Sequence, residues 1–131
     1  MGIEKDYLMR QLMMLFEVIQ KIIRYRKKGE KGKALDEISY FYASLKIDEH
    51  VHNMNIEELI RFLEKKKNLS NEHLEMVGFV LKEQGELADN PDQKSDYFQK
   101  AYFVLDKVER ESTSFSMNRQ MNLEELKRYL N

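Results

Sequence analysis

Along the first 28 positions of the chain, the polar residues fall on one narrow stripe at spacings of three, four and seven. The stripe consists of Asp6, Arg10, Glu17, Lys21, Arg24 and Lys28. Most residues between them are apolar, which is the pattern of a helix with one solvent-facing edge. We therefore predict a first helix from about Glu4 to Lys27 that is buried around most of its circumference. Its charges argue against a membrane span, which needs roughly 20 successive apolar residues.

Amphipathic spacing and helix-start signals predict further helices along the rest of the chain. Glycines in "KKGEKGK" end the first helix, and a second is expected from about Lys33 to Lys46. A fourth helix is expected from about Glu72 to Ala88. Asn90 and Pro91 are a typical cap and first helical residue, and they open a fifth helix that ends near Glu111. No segment alternates with the period of two that a strand requires, so the sequence predicts an all-α fold of about six antiparallel helices.

One ten-residue sequence occurs twice and supplies the third and sixth predicted helices. "MNIEELIRFL" is followed half a chain later by "MNLEELKRYL", with seven identical positions. In each copy an asparagine precedes a glutamate by three residues, which is the spacing of a capping box. The predicted boxes are Asn55 with Glu58 and Asn122 with Glu125.

Two explanations of the repeated sequence remain open. The first is duplication of a three-helix unit within a single domain of residues 1–131, with sub-repeats 1–67 and 68–131. Tyr-Phe pairs at Tyr40-Phe41 and Tyr102-Phe103 support it, because each lies in the second helix of its half. The second explanation is convergence, since capping boxes before amphipathic helices are common.

The second half of the chain resembles a tetratricopeptide repeat. The matching positions are Leu74, Val77, Gly78, Leu81, Gly85, Phe98 and Ala101. The resemblance implies stacked helix pairs, with close approach of two helices at Gly78 and a helix end with positive φ at Gly85. Lys94 departs from the pattern, because the family has a small residue there. A more degenerate match covers about 15–47, where Gly29 and Ala34 have the expected spacing.

The whole chain also resembles a family of small bacterial proteins described only as a domain of unknown function with a predicted helical-repeat fold. The resemblance rests on the start "KDYLMRQL", a glycine turn, an "EEL" helix and a closing "GE…YFQKA" segment. It implies a bacterial cytoplasmic protein and supplies no catalytic residues.

Composition is consistent with a soluble helical protein. The 131 residues include no cysteine, one proline and five glycines, and the net charge is −1. The lack of cysteine fits a reducing compartment, and the N-terminal segment has neither the basic nor the apolar region of a signal peptide. We expect a cytoplasmic protein without membrane association, and the near-neutral charge gives no global attraction to nucleic acid.

Candidate catalytic chemistry is sparse. His50 and His52, near Asp48 and Glu49, could hold a metal ion and support a cryptic hydrolase, but no helical histidine pair completes such a site. His73 lies in a predicted first helical turn and is expected at the surface. Paired glutamates fall at helix starts, where the dipole favours negative charge. We therefore predict no enzyme activity, cofactor or metal site.

A basic segment from 24 to 33 offers the main alternative function. It contains Arg24, Arg26, Lys27, Lys28, Lys31 and Lys33, and it could bind RNA or phosphate. The segment also lies at a predicted helix C-terminus, where cations are stabilising without any ligand. Aromatic clusters such as Tyr40-Phe41-Tyr42 could stack on bases, but their helical spacing favours a place in the core.

The leading prediction is a non-enzymatic protein–protein interaction module that binds a peptide or associates with itself. In tetratricopeptide folds the first helix of each pair lines the binding groove. The partner-binding candidates are Phe16, Ile19, Ile23, Arg26 and Lys27, followed by Glu75, Phe79, Lys82 and Glu83. Met13 and Met14 interrupt the polar stripe and suggest a dimer seam. Another helix of the chain, or a second copy, could instead fill the groove.

Overall fold

The computed structural model describes residues 2–47, 51, 53–66 and 69–131. Within these residues the chain is helical and has no strand, which confirms the predicted all-α class. The chain divides into two compact units, Met1–Asp48 and Glu49–Asn131. The first copy of the repeated sequence therefore lies in the second unit, together with the second copy. The boundary between the units does not coincide with the predicted sub-repeats 1–67 and 68–131.

Six α-helices account for most of the described residues. They are α1 (Gly2–Lys27), α2 (Lys31–Ser44), α3 (Ile56–Arg61), α4 (Asn71–Leu87), α5 (Pro91–Glu111) and α6 (Met117–Leu130), and a π-helical segment, Phe62–Lys66, continues α3. None of the described helices combines the length and the apolar character that a membrane crossing requires.

The first unit is an antiparallel pair of helices. α1 and α2 pack against each other, with Lys21 beside Glu37 at 3.9 Å and the Lys33 ammonium 5.8 Å from the centre of the Tyr25 ring. The buried side chains of α1 are Leu15, Val18, Ile19 and Ile22, and those of α2 are Ala34, Ile38, Phe41 and Tyr42. The prediction that α1 is buried around most of its circumference is wrong at its start, because all residues from 5 to 10 are exposed.

Both helices of this unit end in the same hydrogen-bonding pattern. After α1, the Glu30 N–H donates to Tyr25 O and the Gly29 N–H to Arg26 O, with Gly29 at a φ of 76°. This is a Schellman motif, in which the residue after the cap adopts the left-handed conformation that glycine favours. After α2 the same position is occupied by Lys46, at a φ of 56°.

In the second unit, α4 and α5 form a closely packed antiparallel pair. A Cβ on Gly78 would lie 2.6 Å from Leu105 Cδ2, which confirms the predicted close approach at this glycine. Gly85 does not end α4, which continues to Leu87, and its φ is not positive. It instead makes room for the Phe98 ring, which would lie 2.5 Å from a Cβ at that position. The prediction of a helix end at Gly85 is therefore wrong, and both glycines serve helix packing.

The contacts of Lys94 account for a long side chain at a position where the tetratricopeptide pattern has a small residue. Its ammonium donates hydrogen bonds to Gly85 O at 2.7 Å and Glu86 O at 3.2 Å, and lies 5.5 Å from the centre of the Phe98 ring. Carbonyls in the last turn of a helix lack partners within the helix, and a lysine side chain can satisfy them. Lys94 therefore caps α4 from the first turn of α5.

The two copies of the repeated sequence differ in local structure. Asn55 caps α3 as predicted, and its Oδ1 accepts a hydrogen bond from the Glu58 N–H at 2.8 Å. The predicted cap at Asn122 is wrong, because this residue lies inside α6 and donates to Asn118 O. The cap of α6 is Ser116, whose hydroxyl accepts from the Arg119 N–H at 3.1 Å.

Candidate interaction surface

One face of α1 carries a line of seven side chains, four of them apolar, that are exposed or half-buried. We name this face the α1 seam, and its positions are Asp6, Met9, Met13, Phe16, Gln20, Ile23 and Lys27. Met9 and Met13 are 56% and 60% exposed, whereas Phe16 and Ile23 are half-buried. Steps of three and four residues separate successive positions, which is the spacing of residues that face a partner helix in a coiled coil. The seam runs about 32 Å along the helix at 1.5 Å per residue.

The seam contains three of the five partner-binding residues predicted on the first helix. These are Phe16, Ile23 and Lys27, of which Lys27 is exposed and the two apolar residues are half-buried. Ile19 is buried, so it belongs to the core rather than to a surface open to a partner. Arg26 is half-buried and makes interactions within the chain.

The two methionines of the predicted dimer seam lie on different faces of α1. Met13 belongs to the α1 seam. Met14 is half-buried and turns towards α2, where its Sδ accepts a hydrogen bond from the Tyr40 hydroxyl at 3.9 Å. Of the predicted pair, therefore, only Met13 lies on an exposed apolar face.

The partner-binding residues predicted on the fourth helix do not line an open surface. Phe79, Lys82 and Glu83 are buried, and Glu75 is half-buried. Two of the four contact α6: Lys82 Nζ lies 3.3 Å from Glu125 Oε1, and Glu75 Oε1 lies 2.6 Å from an amino nitrogen of Arg119. The α6 helix, which runs parallel to α4, thus occupies the face where the sequence predicted a groove.

Arg119 is the centre of a polar cluster that joins three helices. It is only 4% exposed, and it donates to Glu75 in α4, to Glu109 Oε1 in α5 at 2.7 Å and to Ser114 O at 2.7 Å. A buried guanidinium requires such partners, because leaving its charge unpaired would be costly. The cluster therefore holds the start of α6 against α4 and α5.

A second polar cluster holds the end of α6. The Tyr129 hydroxyl donates to Glu125 Oε1 at 2.7 Å and lies 3.1 Å from Glu86 Oε2, while its ring stacks on Phe98 at 4.7 Å. The hydrogen bond from Tyr129 lowers the pKa of Glu125 most, burial opposes it, and the charge of Lys82 lowers it further. Burial and the acceptor Glu125 raise the pKa of Tyr129, so the phenol stays protonated and keeps donating.

Part of the predicted basic segment is already engaged within the first unit. Lys33 Nζ lies 3.6 Å from Glu30 Oε2 and close to the Tyr25 ring, and Arg26 and Lys31 are half-buried and make interactions within the chain. Arg24, Lys27 and Lys28 are exposed. Of the seven aromatic residues in the clusters expected in the core, Phe41, Tyr42, Tyr97 and Phe98 are buried, Tyr102 is half-buried, and Tyr40 and Phe103 are exposed.

The candidate metal ligands of the sequence, Asp48, Glu49, His50 and His52, lie outside the described residues. Among the residues that are described, no group of three histidines or carboxylates could hold a metal ion. His73 is buried rather than at the surface, and its Nδ1 lies 2.7 Å from the hydroxyl of Ser70, the cap of α4. Burial lowers the pKa of His73, and the neighbouring charge of Glu72 opposes this only in part.

A further concavity of about 430 Å³ lies between α3 and α5 in the second unit. Ile60 and Phe103 supply its apolar side chains. Its charged side chains include Lys107, which lies 2.8 Å from Glu64 and also pairs with Glu111. Because the charge of Lys107 is already paired with two glutamates, this cation is less available to a binding partner.

Sequence reasoning missed Asp6, Met9 and Gln20 as members of a candidate site. The signal that could have found them is the regular alternation of three- and four-residue steps from position 6 to position 27. None of the protein-family models, curated proteins or solved structures compared with the chain matches it. The resemblances to the tetratricopeptide repeat and to the bacterial family therefore stay predictions.

Proposed function

We propose that this chain is a non-enzymatic protein-interaction module that binds a helix of another protein molecule along the α1 seam. The observation that supports this most is the exposure of Met9 and Met13, both more than half exposed, in line with the half-buried Phe16 and Ile23. Contiguous exposed apolar surface of this kind marks interaction sites in soluble proteins. Methionine suits such a surface, because its flexible thioether adapts to different partners.

The spacing of the seam supports a helical partner over an extended peptide. A strand-like peptide requires an exposed sheet edge or a groove between elements, whereas side chains at alternating three- and four-residue steps fit between those of a second helix. Polar residues mark both ends of the seam, with Asp6 at its start and Lys27 at its end. Such an arrangement of an apolar centre and a polar rim is typical of protein interfaces.

The RNA or phosphate alternative has less support. Three of the six cations in the basic segment, Arg26, Lys31 and Lys33, already make interactions within the chain. If the remaining exposed cations bound RNA, retention on RNA would fall as salt rises, and it would be lost in the double variant Lys27→Glu, Lys28→Glu. Retention unchanged by this double variant would exclude the basic segment as the contact.

We also propose a cytoplasmic location and a tetratricopeptide-like pairing of α4 and α5. The absence of cysteine from the sequence supports the first. The close approach of the two helices at Gly78 and the complete burial of Ala101 support the second, because the repeat pattern has small residues at both positions.

Methionine oxidation tests the proposed interaction surface without knowledge of the partner. Met13 and Met121 are 60% and 61% exposed, so hydrogen peroxide should oxidise them at similar rates in the dilute purified chain. In extract of the native cell, we expect Met9 and Met13 to oxidise at least about threefold more slowly than in the dilute chain, because a bound partner excludes the oxidant. Mass spectrometry of the recovered protein measures each rate.

Two matched variants control this experiment. Met13→Glu places a charge in the centre of the seam and should abolish the protection of Met9. Met121→Glu places the same charge on the outer face of α6 and should leave the protection of Met9 unchanged. Equal oxidation rates of Met9 in extract and in the dilute chain would contradict the proposed function.

A further inference from the structure

At the seam positions themselves, the charge changes sign from one end of α1 to the other, and the exposed cations Lys5 and Arg10 flank the acidic end. Asp6 lies at the start of the seam, and Arg24 and Lys27 lie at or beside its end. All three are exposed. A helix with this distribution is complementary to a second helix that runs in the opposite direction and carries the same distribution. The chain itself supplies such a helix.

From this distribution we infer that the partner on the seam is α1 of a second copy of this chain, packed antiparallel to the first. The inference rests on the proposed function, because it names the occupant of the same surface. When Met13 of one copy faces Phe16 of the other, the reversal of direction places Met9 opposite Gln20 and Asp6 opposite Ile23. The two methionine–phenylalanine layers then form the apolar centre of the interface.

Charge complementarity selects the antiparallel arrangement. In that arrangement, Asp6 of one copy lies next to Arg24 of the second copy and one helical turn from its Lys27. A parallel arrangement in register would place the two Asp6 carboxylates together at one end and the two Lys27 ammonium groups together at the other. Like charges in direct opposition destabilise helix pairs, so the parallel arrangement is disfavoured.

The exposure of the first turns of α1 supports the same conclusion. Residues 5 to 10 are all exposed, although they include Tyr7, Leu8 and Met9, and Tyr7 is 71% exposed. Successive residues of a helix point about 100° apart, so of these three side chains only Met9 lies on the α1 seam, and Tyr7 and Leu8 point away from it. In the antiparallel pair, the C-terminal half of α1 from the second copy covers the exposed Met9.

Cysteine cross-linking tests the arrangement directly, because the natural chain has no cysteine and any disulfide must join introduced thiols. Met9→Cys and Gln20→Cys both replace exposed residues. On mixing the two variants under mild oxidation, we expect a mixed disulfide dimer, since the two positions face each other between copies. Met9→Cys alone should form a disulfide dimer at least about tenfold more slowly, because two Met9 positions lie about 16 Å apart along the antiparallel helices.

The control for collisional cross-linking is Met121→Cys, which has a comparably exposed thiol on α6. Faster dimer formation by Met9→Cys alone than by the mixture would overturn the antiparallel arrangement. Cross-linking of the mixture no faster than the Met121→Cys background would overturn self-association. A circular dichroism spectrum confirms that each variant remains helical.

A charge reversal adds an independent readout. Sedimentation of the full chain should show a monomer–dimer equilibrium in which Asp6→Lys raises the dissociation constant about fivefold, since two symmetric pairs are lost. The double variant Asp6→Lys, Arg24→Glu restores opposite charges and should recover most of the affinity. No effect of Asp6→Lys, or no recovery in the double variant, would count against the proposed contact.

The failure of this inference is distinguishable from the failure of the proposed function. The purified chain can be tested at about 100 times the concentration used for oxidation of the dilute chain. If it stays monomeric there, but Met9 and Met13 are protected in native extract, the seam binds a different protein and self-pairing is excluded. If the methionines are unprotected in both settings, the interaction surface itself is excluded.

Discussion

Gly78 and Leu105 are in such close contact that no side chain fits between them. A Cβ on Gly78 would lie 2.6 Å from Leu105 Cδ2 and 2.7 Å from its Cγ. Leu105 is completely buried, so it has little room to move away. The separation between α4 and α5 therefore depends on the absence of a side chain at Gly78.

Gly78→Ala should lower the free energy of unfolding by about 1–3 kcal/mol, because the added methyl group forces α4 and α5 apart. Urea denaturation followed by circular dichroism measures the effect. Gly32→Ala is the matched control: no atom lies within 4 Å of a Cβ at this position of α2, and its φ is not positive. The free energy of unfolding of the control should rise by about 0.5 kcal/mol, because alanine has a higher helix propensity than glycine. A loss of stability in both variants would show that the contact with Leu105 is not the cause.

Lys46→Gly should stabilise the chain by about 1 kcal/mol. Lys46 ends α2 in the left-handed conformation, with a φ of 56°, which costs a residue with a Cβ about 1–2 kcal/mol and glycine almost nothing. Lys46→Ala separates this effect from loss of the lysine side chain, since alanine suffers the same backbone strain. We expect a rise in the urea midpoint for the glycine variant alone. An equal rise in both variants would assign the effect to the side chain.

The helix boundaries that depend on local chemistry could be predicted from the sequence. α5 begins at Pro91 after the cap Asn90 and ends at Glu111, as predicted, because cap and first-turn signals lie within a few residues of the boundary they set. α2 begins two residues before its predicted start and also ends two residues early. Glycine in the preceding turn gave only an approximate position for that start.

Contacts between distant segments could not be predicted in the same way. No local sequence signal distinguishes Arg119 from an exposed arginine. Its burial depends on Glu75, which lies 44 positions away along the chain. The same is true of Lys82, whose partner Glu125 lies in α6. By contrast, the α1 helix and its exposed polar stripe, which shares only Asp6 with the α1 seam, could be predicted, because helical periodicity alone determines which residues share a face.

Acidification should destabilise the chain partly through His73. The unfolded chain takes up a proton at this residue near the ordinary pKa of 6.5, whereas burial lowers the pKa in the folded state. Below pH 6.5 the unfolded state therefore binds more protons at His73 than the folded state does. The stability that His73 contributes is complete above that pH and is lost as the pH falls towards the lower pKa of the folded state. The urea midpoint should fall between pH 7.5 and 5.5, and it should fall less in His73→Gln. Identical decreases in the two proteins would exclude His73 as the titrating group.

The repeated sequence provides a matched pair of substitutions. Asn55→Ala should lower the free energy of unfolding by about 1 kcal/mol, because Asn55 Oδ1 accepts the Glu58 N–H at the start of α3. Asn122→Ala changes the corresponding residue of the second copy, but there it lies inside α6, where alanine is a better helix former. Its effect should stay within about 0.5 kcal/mol of zero.

Urea denaturation of the two variants and of Ser116→Ala distinguishes sequence similarity from structural equivalence. Ser116→Ala should resemble Asn55→Ala, because Ser116 is the residue that caps α6. Equal losses for Asn55→Ala and Asn122→Ala, with no loss for Ser116→Ala, would instead place the start of the last helix at Asn122. The two copies would then begin their helices in the same way, as duplication of a three-helix unit requires. The expected result favours convergence, because the same ten-residue pattern then starts one helix and continues another.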